Sequence, residues 1–249
     1  MKSHSKPEKY FLLDSSILVA YYLPEASRSK KVAERVRGII DYVRKGGTSD
    51  WIFIVPNIVV AEVFNTFSKY CYGKWNEYVR KNLPGGMDQR RYKRIRKEFR
   101  NHIHNGKLYH QIELNRYHIL YTDLISPLDH YYQIYRARKR RKPVVPLQTM
   151  DILILAIGIE LNHILGRERF CLITDDHRMH DLCNKLNNMS NVAAVKKIDL
   201  ASMANELNLE ISSELFPRVL HLSIAKQVEL ADEFGEWPLN IPRRSRTGI

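Results

Sequence analysis

The chain has 249 residues, of which 40 are Lys or Arg and 27 are Asp or Glu, so its formal net charge is +13. A charge of this size indicates polyanionic partners such as nucleic acids. The three cysteines, Cys71, Cys171 and Cys183, show no paired spacing, which argues against a disulfide scaffold and against a Cys-rich zinc site. No apolar signal core opens the sequence and no apolar run is long enough to span a membrane, so we expect a cytoplasmic protein.

In the first half of the chain, short apolar runs alternate with helical patterns. We predict a strand at Tyr10–Asp14 and a helix from about Ala26 to Val43, whose apolar residues recur at helical spacing. A second strand, Trp51–Val55, is stopped by Pro56, and a helix from about Ile58 to Cys71 follows. This alternation is typical of a parallel sheet covered by helices on both faces.

The second half continues the alternation. In chain order we predict a strand at Tyr117–Tyr121, a helix from about Leu128 to Arg140, a long apolar helix opened by Asp151, a strand at Phe170–Thr174, a helix from His177 to about Leu186 and a short strand at Asn191–Val195. Beyond Leu200 we expect mostly helix, with Leu220, Ile224 and Val228 on its apolar face.

Acidic residues stand at four points where a strand ends or a helix begins. Asp14 closes the first strand, Glu62 lies in the helix after the second, Asp151 opens its helix, and Asp175–Asp176 follow the Phe170–Thr174 strand. Because the carboxyl ends of parallel strands form one crevice, we expect all four acidic positions to meet there.

Carboxylates crowded together repel one another unless a cation neutralises them. Hard oxygen ligands select Mg²⁺ or Mn²⁺, and the chemistry this predicts is metal-assisted hydrolysis of phosphodiesters with water as the nucleophile. Taken singly, Asp14 could be a turn residue and Asp151 a helix cap. Glu62 is harder to explain in that way, because it stands between Val60 and Val63 in a mostly apolar helix.

The order of these motifs resembles that of the PIN-domain nucleases, in particular the VapC-type toxin ribonucleases, from Tyr10 to about Leu200. The resemblance implies an α/β protein: a three-layer α/β/α sandwich with a central, mainly parallel sheet. It also implies an endoribonuclease that depends on Mg²⁺ or Mn²⁺. Its catalytic, metal-binding acids would be Asp14, Glu62, Asp151 and Asp176. Ser16, Thr174 and Asp175 would orient these acids without binding the metal themselves.

The predicted nuclease domain covers residues 1–200, with a basic insertion at about 70–110, and residues 201–249 form a C-terminal helical extension with a basic tail. The cations that we expect to bind RNA are Arg90, Arg91, Lys93, Arg94, Arg96 and Lys97 in the insertion and Arg138 and Arg140 in a second basic run. Tyr92, Phe99 and Tyr109 are interleaved with the first group and could stack on bases near the mouth of the acidic site. The alternative is a solvated helical face with Tyr92, Ile95 and Phe99 buried behind it.

Two histidine groups could suggest zinc, His177 and His180 with Cys183, and His102 with His104. Zinc needs about four convergent ligands, and neither group offers a recognised spacing, so structural zinc is not indicated. His177 could help to position substrate.

The expected partners are RNA and, by the resemblance, a small antitoxin protein and a second copy of the chain. Two alternatives stay open at this point. The first is a nuclease of the same superfamily that acts on precursor RNA or on branched DNA. The second is a non-catalytic RNA-binding protein with a vestigial acidic pocket, against which the intact acid set argues.

Overall fold

The computed structural model describes residues 8–27, 29–140, 145–187, 202, 205–207 and 215–235, without the side chains of 135–140 and 185–187. The strands are β1 Lys9–Leu13, β2 Trp51–Pro56, β3 Tyr109–Ile112, β4 Phe170–Thr174 and β5 Arg218–His221. The helices are α1 Ser15–Tyr22, α2 Lys30–Arg44, α3 Asn57–Tyr72, α4 Asn76–Arg80, α5 Gln89–Asn105, α6 Arg116–Arg140, α7 Thr149–Leu165, α8 His177–Asn187 and α9 Gln227–Phe234, with a 3-10 turn at Pro24–Ala26.

The five strands form one sheet in the order β3-β2-β1-β4-β5, and every neighbouring pair is parallel. From β1 to β2 to β3, each strand is added on the same side of the one before it. The chain then crosses back over the sheet, and β4 and β5 are added on the other side of β1. Right-handed crossovers therefore place helices on both faces. The predicted α/β class with flanking helices is confirmed, and the architecture is consistent with a PIN-like fold. The direction changes between β1 and β4, which is where open parallel sheets bind their ligands.

Buried apolar strands explain why the centre of this sheet forms. Every residue of β4 is buried, and Phe11, Leu12 and Leu13 of β1 are at most 1% exposed. Strands covered on both faces read as continuous apolar runs, as these two do. Gly158 brings α7 close to β1, because a Cβ there would lie 3.1 Å from Pro217 and 3.8 Å from Leu12. Although α7 is strongly apolar, none of the described helices has both the length and the hydropathy needed to cross a membrane.

The third strand lies in a different place from the predicted one. Tyr117–Tyr121 belongs to the start of α6, and β3 is instead Tyr109–Ile112, at the end of the predicted insertion. A short mixed run such as Tyr-His-Ile-Leu-Tyr fits both the helical and the extended period, so the pattern alone could not decide. In the structure Tyr121 packs in the core while Ile119 and Leu120 are exposed, which is a helical distribution.

The C-terminal segment also differs from the prediction. Leu220 belongs to β5, Ile224 lies in the turn after it, and Val228 is an exposed residue of α9, so these three do not share one apolar helix. Residues 218–221 instead pair with β4 and complete the sheet. The predicted strand at Asn191–Val195 and the domain boundary near residue 200 lie outside the described residues and stay predictions.

Candidate active site: acidic residues at the carboxyl end of the sheet

Asp14 follows β1 directly and lies at the point where the sheet changes direction. Its Oδ1 accepts a hydrogen bond of 2.6 Å from the backbone N–H of Ser15, and its Oδ2 accepts from the hydroxyls of Ser16 at 2.7 Å and Thr174 at 2.8 Å. Thr174 is the last residue of β4, so this last bond joins the ends of two neighbouring strands. Asp14 also acts as the N-cap of α1, a helix that the sequence patterns did not predict.

Asp14 is almost completely buried, with 4% of its surface exposed. Burial raises the pKa of its carboxyl group, the hydrogen bonds from Ser16, Thr174 and Ser15 oppose that rise, and the charge of Asp176 adds to it. Three hydrogen-bond donors thus fix the orientation of this buried carboxylate. A nearby cation would stabilise its negative charge.

Glu62 lies in the second turn of α3 and is half-buried. Its pKa is raised, first by burial and then by the charge of Asp14, while hydrogen bonding with Ser15 opposes the rise. Ser15 therefore contacts two of the acids, although the predicted set of supporting residues included Ser16 and not Ser15. Its place directly after Asp14, at the first position of α1, was the available signal.

Asp151 is the third residue of α7, and it forms a capping box with Gln148: its Oδ2 accepts from the backbone N–H of Gln148 at 3.1 Å. Burial raises the pKa of Asp151 to about 6, the charges of Asp14 and Asp176 act in the same direction, and the contacts with Gln148 and Arg178 oppose them. Asp151 thus closes a helix end and also faces the other acids. The capping interpretation is confirmed, and the metal-binding role of Asp151 stays a prediction.

The loop before α7 is fixed from α6 by Asp129, which is 0% exposed. Asp129 Oδ2 accepts from the backbone N–H of Leu147 at 2.7 Å, and its Oδ1 accepts from Gln133 at 2.8 Å. Asp129 therefore helps to set where α7, and with it Asp151, begins. This residue was missed in the sequence, because a single acid in a long amphipathic helix resembles a solvated one.

Asp176 and Arg178 form the tightest ion pair of the site. Arg178 Nε donates to both oxygens of Asp176 at 3.1 Å, and its terminal nitrogens contact Asp176, Asp151 at 3.2 Å and the Pro146 carbonyl oxygen at 3.1 Å. Burial by itself would raise the pKa of Asp176, but its hydrogen bonds and ion pair with Arg178 hold that pKa below its usual value. Bidentate arginine–carboxylate pairs are among the strongest charge-assisted contacts in proteins.

Arg178 was also missed in the sequence. A cation in the first turn of a helix opposes the helix dipole, and Arg178 is the second residue of α8. Such an unfavourable position, two residues after an acid, is the signal that could have identified it.

Asp175 differs from Asp176 in what it contacts. Its backbone N–H donates to the Ser16 hydroxyl at 3.1 Å, and its Oδ1 lies 3.7 Å from Nδ1 of the buried His221. His221 packs against His177, with ring centroids 4.0 Å apart. Asp176, whose backbone N–H donates to Thr174, is the member of the pair that shares Arg178 with Asp151. The assignment of Asp176 as the fourth acid stays a prediction.

The chemistry of these groups suits a hard divalent cation. Asp14, Glu62 and Asp151 all have raised pKa values, in each case with another acid as one of the causes, and a dication would relieve that repulsion. Within the described residues, no three His, Cys, Asp or Glu side chains lie close enough together to hold an ion. The guanidinium of Arg178 supplies positive charge among the acids.

The start of the basic helix α5 packs at the C-terminal end of α3, and Phe99 further along it packs against Phe64 of α3. Tyr92 bonds through its hydroxyl to Ser68 and packs against Tyr72, at the C-terminal end of α3, and Arg91 pairs with Glu25. Tyr72 is about 15 Å along the helix from Glu62.

The aromatic rings of this segment belong to the core. Tyr92 is 9% exposed and Phe99 and Tyr109 are 0% exposed, so the prediction that they stack on bases is wrong. The basic side chains occupy the opposite face of α5: Arg90, Lys93, Arg94 and Lys97 are exposed, and Arg91 and Arg96 are half-buried. Their role in RNA binding stays a prediction.

The second basic run lies closer to the acids. His118, near the start of α6, pairs with Glu160 in the second half of α7, whereas Asp129 bonds to Leu147 just before α7 begins. Helix α6 therefore runs antiparallel to α7, toward the end of the sheet that carries the acids. From Asp129 it continues to Arg140, about 16 Å further. Arg138 and Arg140 fall in these last turns, and their side chains lie outside the described part.

Comparisons with known proteins add little to this geometry. No protein-family model matches the chain, and no curated protein matches it. Among solved structures, it is similar to a chain in the crystal structure of VapBC2 from Rickettsia felis bound to a DNA fragment from their promoter. The identity is 12%, the TM-score is 0.37, and the match covers 70% of this chain and 92% of that one.

Proposed function

We propose that this protein is a PIN-type nuclease that hydrolyses RNA phosphodiester bonds with the help of Mg²⁺ or Mn²⁺. The observation that carries the proposal is the buried Asp14 carboxylate, fixed by Thr174 and Ser16 at the point where the sheet changes direction, with three further acids coupled to it electrostatically. A purely structural role would not require so many mutually repelling carboxylates in one crevice.

Asp14 and Asp151 would hold a metal ion, Asp176 would complete that site or a second one, and Glu62 would bind or orient the attacking water from its position in α3. Three of these side chains would have to move closer together to bind one ion, since no three of the described ones are close enough as they stand. A bound dication supplies charge stabilisation for the attacking and leaving oxygens of the phosphodiester. Ser16 and Thr174 hold the Asp14 carboxylate in one orientation, and Asp129 fixes the loop from which Asp151 projects. Because burial raises the pKa of Asp151 to about 6, a metal ion that bound this carboxylate at mildly acidic pH would release a proton from it.

RNA is the proposed substrate because the chain is strongly basic and carries basic residues on the exposed face of α5 and in the last turns of α6. The run at the end of α6 would guide the strand into the crevice, and the exposed face of α5 would bind RNA further away. A small antitoxin protein and self-association belong to the same proposal through the resemblance to VapC-type toxins, and each can be tested by co-purification and by sedimentation.

The test is a cleavage assay with labelled single-stranded RNA, tRNA and branched DNA, each in Mg²⁺, Mn²⁺ and EDTA. We expect metal-dependent cleavage of RNA that is lost in the double variant Asp14→Asn with Asp151→Asn. Cleavage that survives in that variant contradicts the assignment of the acids. Cleavage of branched DNA in preference to RNA supports the alternative of a structure-specific nuclease.

One observation favours a second candidate, a non-catalytic RNA-binding protein. Arg178 already compensates Asp151 and Asp176, as a permanent replacement for a metal ion would. In that case RNA binds with strong salt dependence, none of the substrates is cut, and Mn²⁺ does not raise the melting temperature of the protein.

A further inference from the structure

Arg178 lies between two of the acids to which the proposed metal would bind. Its guanidinium group contacts both oxygens of Asp176 and Oδ2 of Asp151, and the side chain is 29% exposed. Asp151 and Asp176 have 17% and 22% of their side-chain surface exposed, so the three groups form a partly desolvated cluster. In such surroundings a charge-assisted fork is stronger than at an open surface.

The contacts of Arg178 differ between the two acids. Asp176 receives the Nε of Arg178 on both of its oxygens and a terminal nitrogen as well, whereas Asp151 receives one terminal nitrogen at 3.2 Å. The single positive charge is therefore shared by both carboxylates, and most of the contacts are to Asp176.

We propose that Arg178 sets the metal affinity of this site by competing with the divalent cation for Asp151 and Asp176. The proposal rests on the function proposed above. The guanidinium bridges Oδ2 of Asp151 and both oxygens of Asp176, so a cation that bridges the same oxygens takes its place between them. Arg178 then acts as an internal counter-ion that reduces the repulsion between the acids in the metal-free protein. The same contacts lower the affinity of the site for the metal ion.

The size of the effect follows from how often the guanidinium holds the carboxylates. Apparent affinity falls in proportion to the fraction of molecules in the binding-competent state. If Arg178 occupies the acids about nine-tenths of the time, its removal strengthens metal binding about ten-fold.

The experiment compares Arg178→Gln with Arg100→Gln, which removes an equal charge from an exposed position on α5. Calorimetric titration of metal-free protein with MnCl₂, without RNA, gives the dissociation constant of each. We expect Arg178→Gln to bind Mn²⁺ about ten-fold more tightly than the wild type and Arg100→Gln to be unchanged. In EDTA, Arg178→Gln should melt at a lower temperature than Arg100→Gln. Saturating Mn²⁺ should reduce this difference in melting temperature.

Equal or weaker Mn²⁺ binding by Arg178→Gln overturns the proposal, because Arg178 would then position the ligands rather than compete for them. If Arg178→Gln does not fold in EDTA, Arg178→Lys provides the test, since it keeps the charge and loses the fork. We expect about three-fold tighter binding for Arg178→Lys, and unchanged or weaker binding again overturns the proposal.

The RNA cleavage assay separates this inference from the proposed function. Wild-type protein that cuts RNA with Mn²⁺ while Arg178→Gln binds the ion no more tightly contradicts the competition alone. Tighter Mn²⁺ binding by Arg178→Gln in a protein that cuts no substrate supports the competition and contradicts the nuclease. If neither protein binds Mn²⁺, both proposals are wrong.

Discussion

The hydroxyl of Thr174 donates a 2.8 Å hydrogen bond to Oδ2 of Asp14 and thereby joins the ends of β4 and β1, 160 residues apart in sequence. The same hydroxyl oxygen accepts from the backbone N–H of Asp176 at 3.0 Å. One threonine thus fixes the first acid and the turn that carries the fourth. Because Thr174 is 0% exposed, neither bond is in competition with bulk water.

We expect Thr174→Val to destabilise the protein and to impair cleavage together. The change nearly preserves volume, but it leaves the Asp176 N–H without its acceptor and removes one donor from the buried Asp14, at a cost of about 1–3 kcal/mol. RNA cleavage should fall about 10- to 100-fold, as when the residues that orient metal ligands are replaced. Chemical denaturation and a cleavage assay measure the two effects.

Thr122→Val is the matched control, because its hydroxyl donates only to the Ile119 carbonyl oxygen of its own helix. It should leave cleavage unchanged. An unimpaired rate in Thr174→Val would show that Ser16 and Ser15 hold Asp14 without it.

The two adjacent acids Asp175 and Asp176 should differ sharply on replacement by Asn. Asp176 shares Arg178 with Asp151, whereas the Asp175 side chain faces His221. Asp176→Asn should reduce metal-dependent cleavage by at least about 100-fold, more than the loss of an orienting residue, and Asp175→Asn should have a smaller effect. The opposite ranking would show that Asp175 is the metal ligand. Circular dichroism of both variants checks that the fold is kept.

The pH dependence of stability should reveal the raised pKa of Asp151, which is about 6 in the folded protein. An acid whose pKa is higher in the folded than in the unfolded state favours folding when it is protonated. That contribution is present below its ordinary pKa of about 4 and is lost as the pH rises through about 6. Metal-free wild-type protein should therefore lose stability relative to Asp151→Asn between about pH 4 and pH 7, by at most about 3 kcal/mol.

The difference between the two proteins is the quantity to measure, because His221 and His102 have lowered pKa values and make the whole protein less stable as the pH falls. Asp176, with its lowered pKa, titrates below this range. A stability difference that stays constant from about pH 4 to pH 7 would contradict a raised pKa at Asp151. Urea denaturation in EDTA at several pH values provides the measurement.

Sequence patterns predicted the parallel sheet and the acids at its carboxyl end because both depend on local signals: buried apolar runs and the residues that terminate them. They could not place β3, since Tyr117–Tyr121 fits two periods and only its packing against α7 makes it helical. The sequence patterns gave no signal for Asp129, and Arg178 was missed despite its unusual place in a first helical turn; both residues contact residues distant in sequence. The prediction that Tyr92 and Phe99 stack on bases was wrong because residues of α3, which lie some distance away in sequence, cover both rings.

The exposed face of α5 offers a test of RNA binding that is independent of the acids. Replacing Arg90, Lys93, Arg94 and Lys97 with Gln should weaken RNA binding and reduce the slope of log affinity against log salt, by about 0.7 for each phosphate that is no longer neutralised. Cleavage at saturating RNA should change little, because these four side chains are exposed on α5 and none of them is one of the acids. Fluorescence anisotropy at several salt concentrations measures the slope.

The control for this test removes four exposed cations elsewhere, Lys31, Arg37, Lys45 and Arg169, and so matches the change in net charge. If the α5 variant and the control show the same reduction in slope, the effect is one of overall charge and α5 is only a solvated face. The end of α6 would then be the remaining candidate for holding the strand. Because α6 extends past Asp129 toward the acids, replacing Arg138 and Arg140 should in that case change the slope and also raise the RNA concentration needed for half-maximal cleavage.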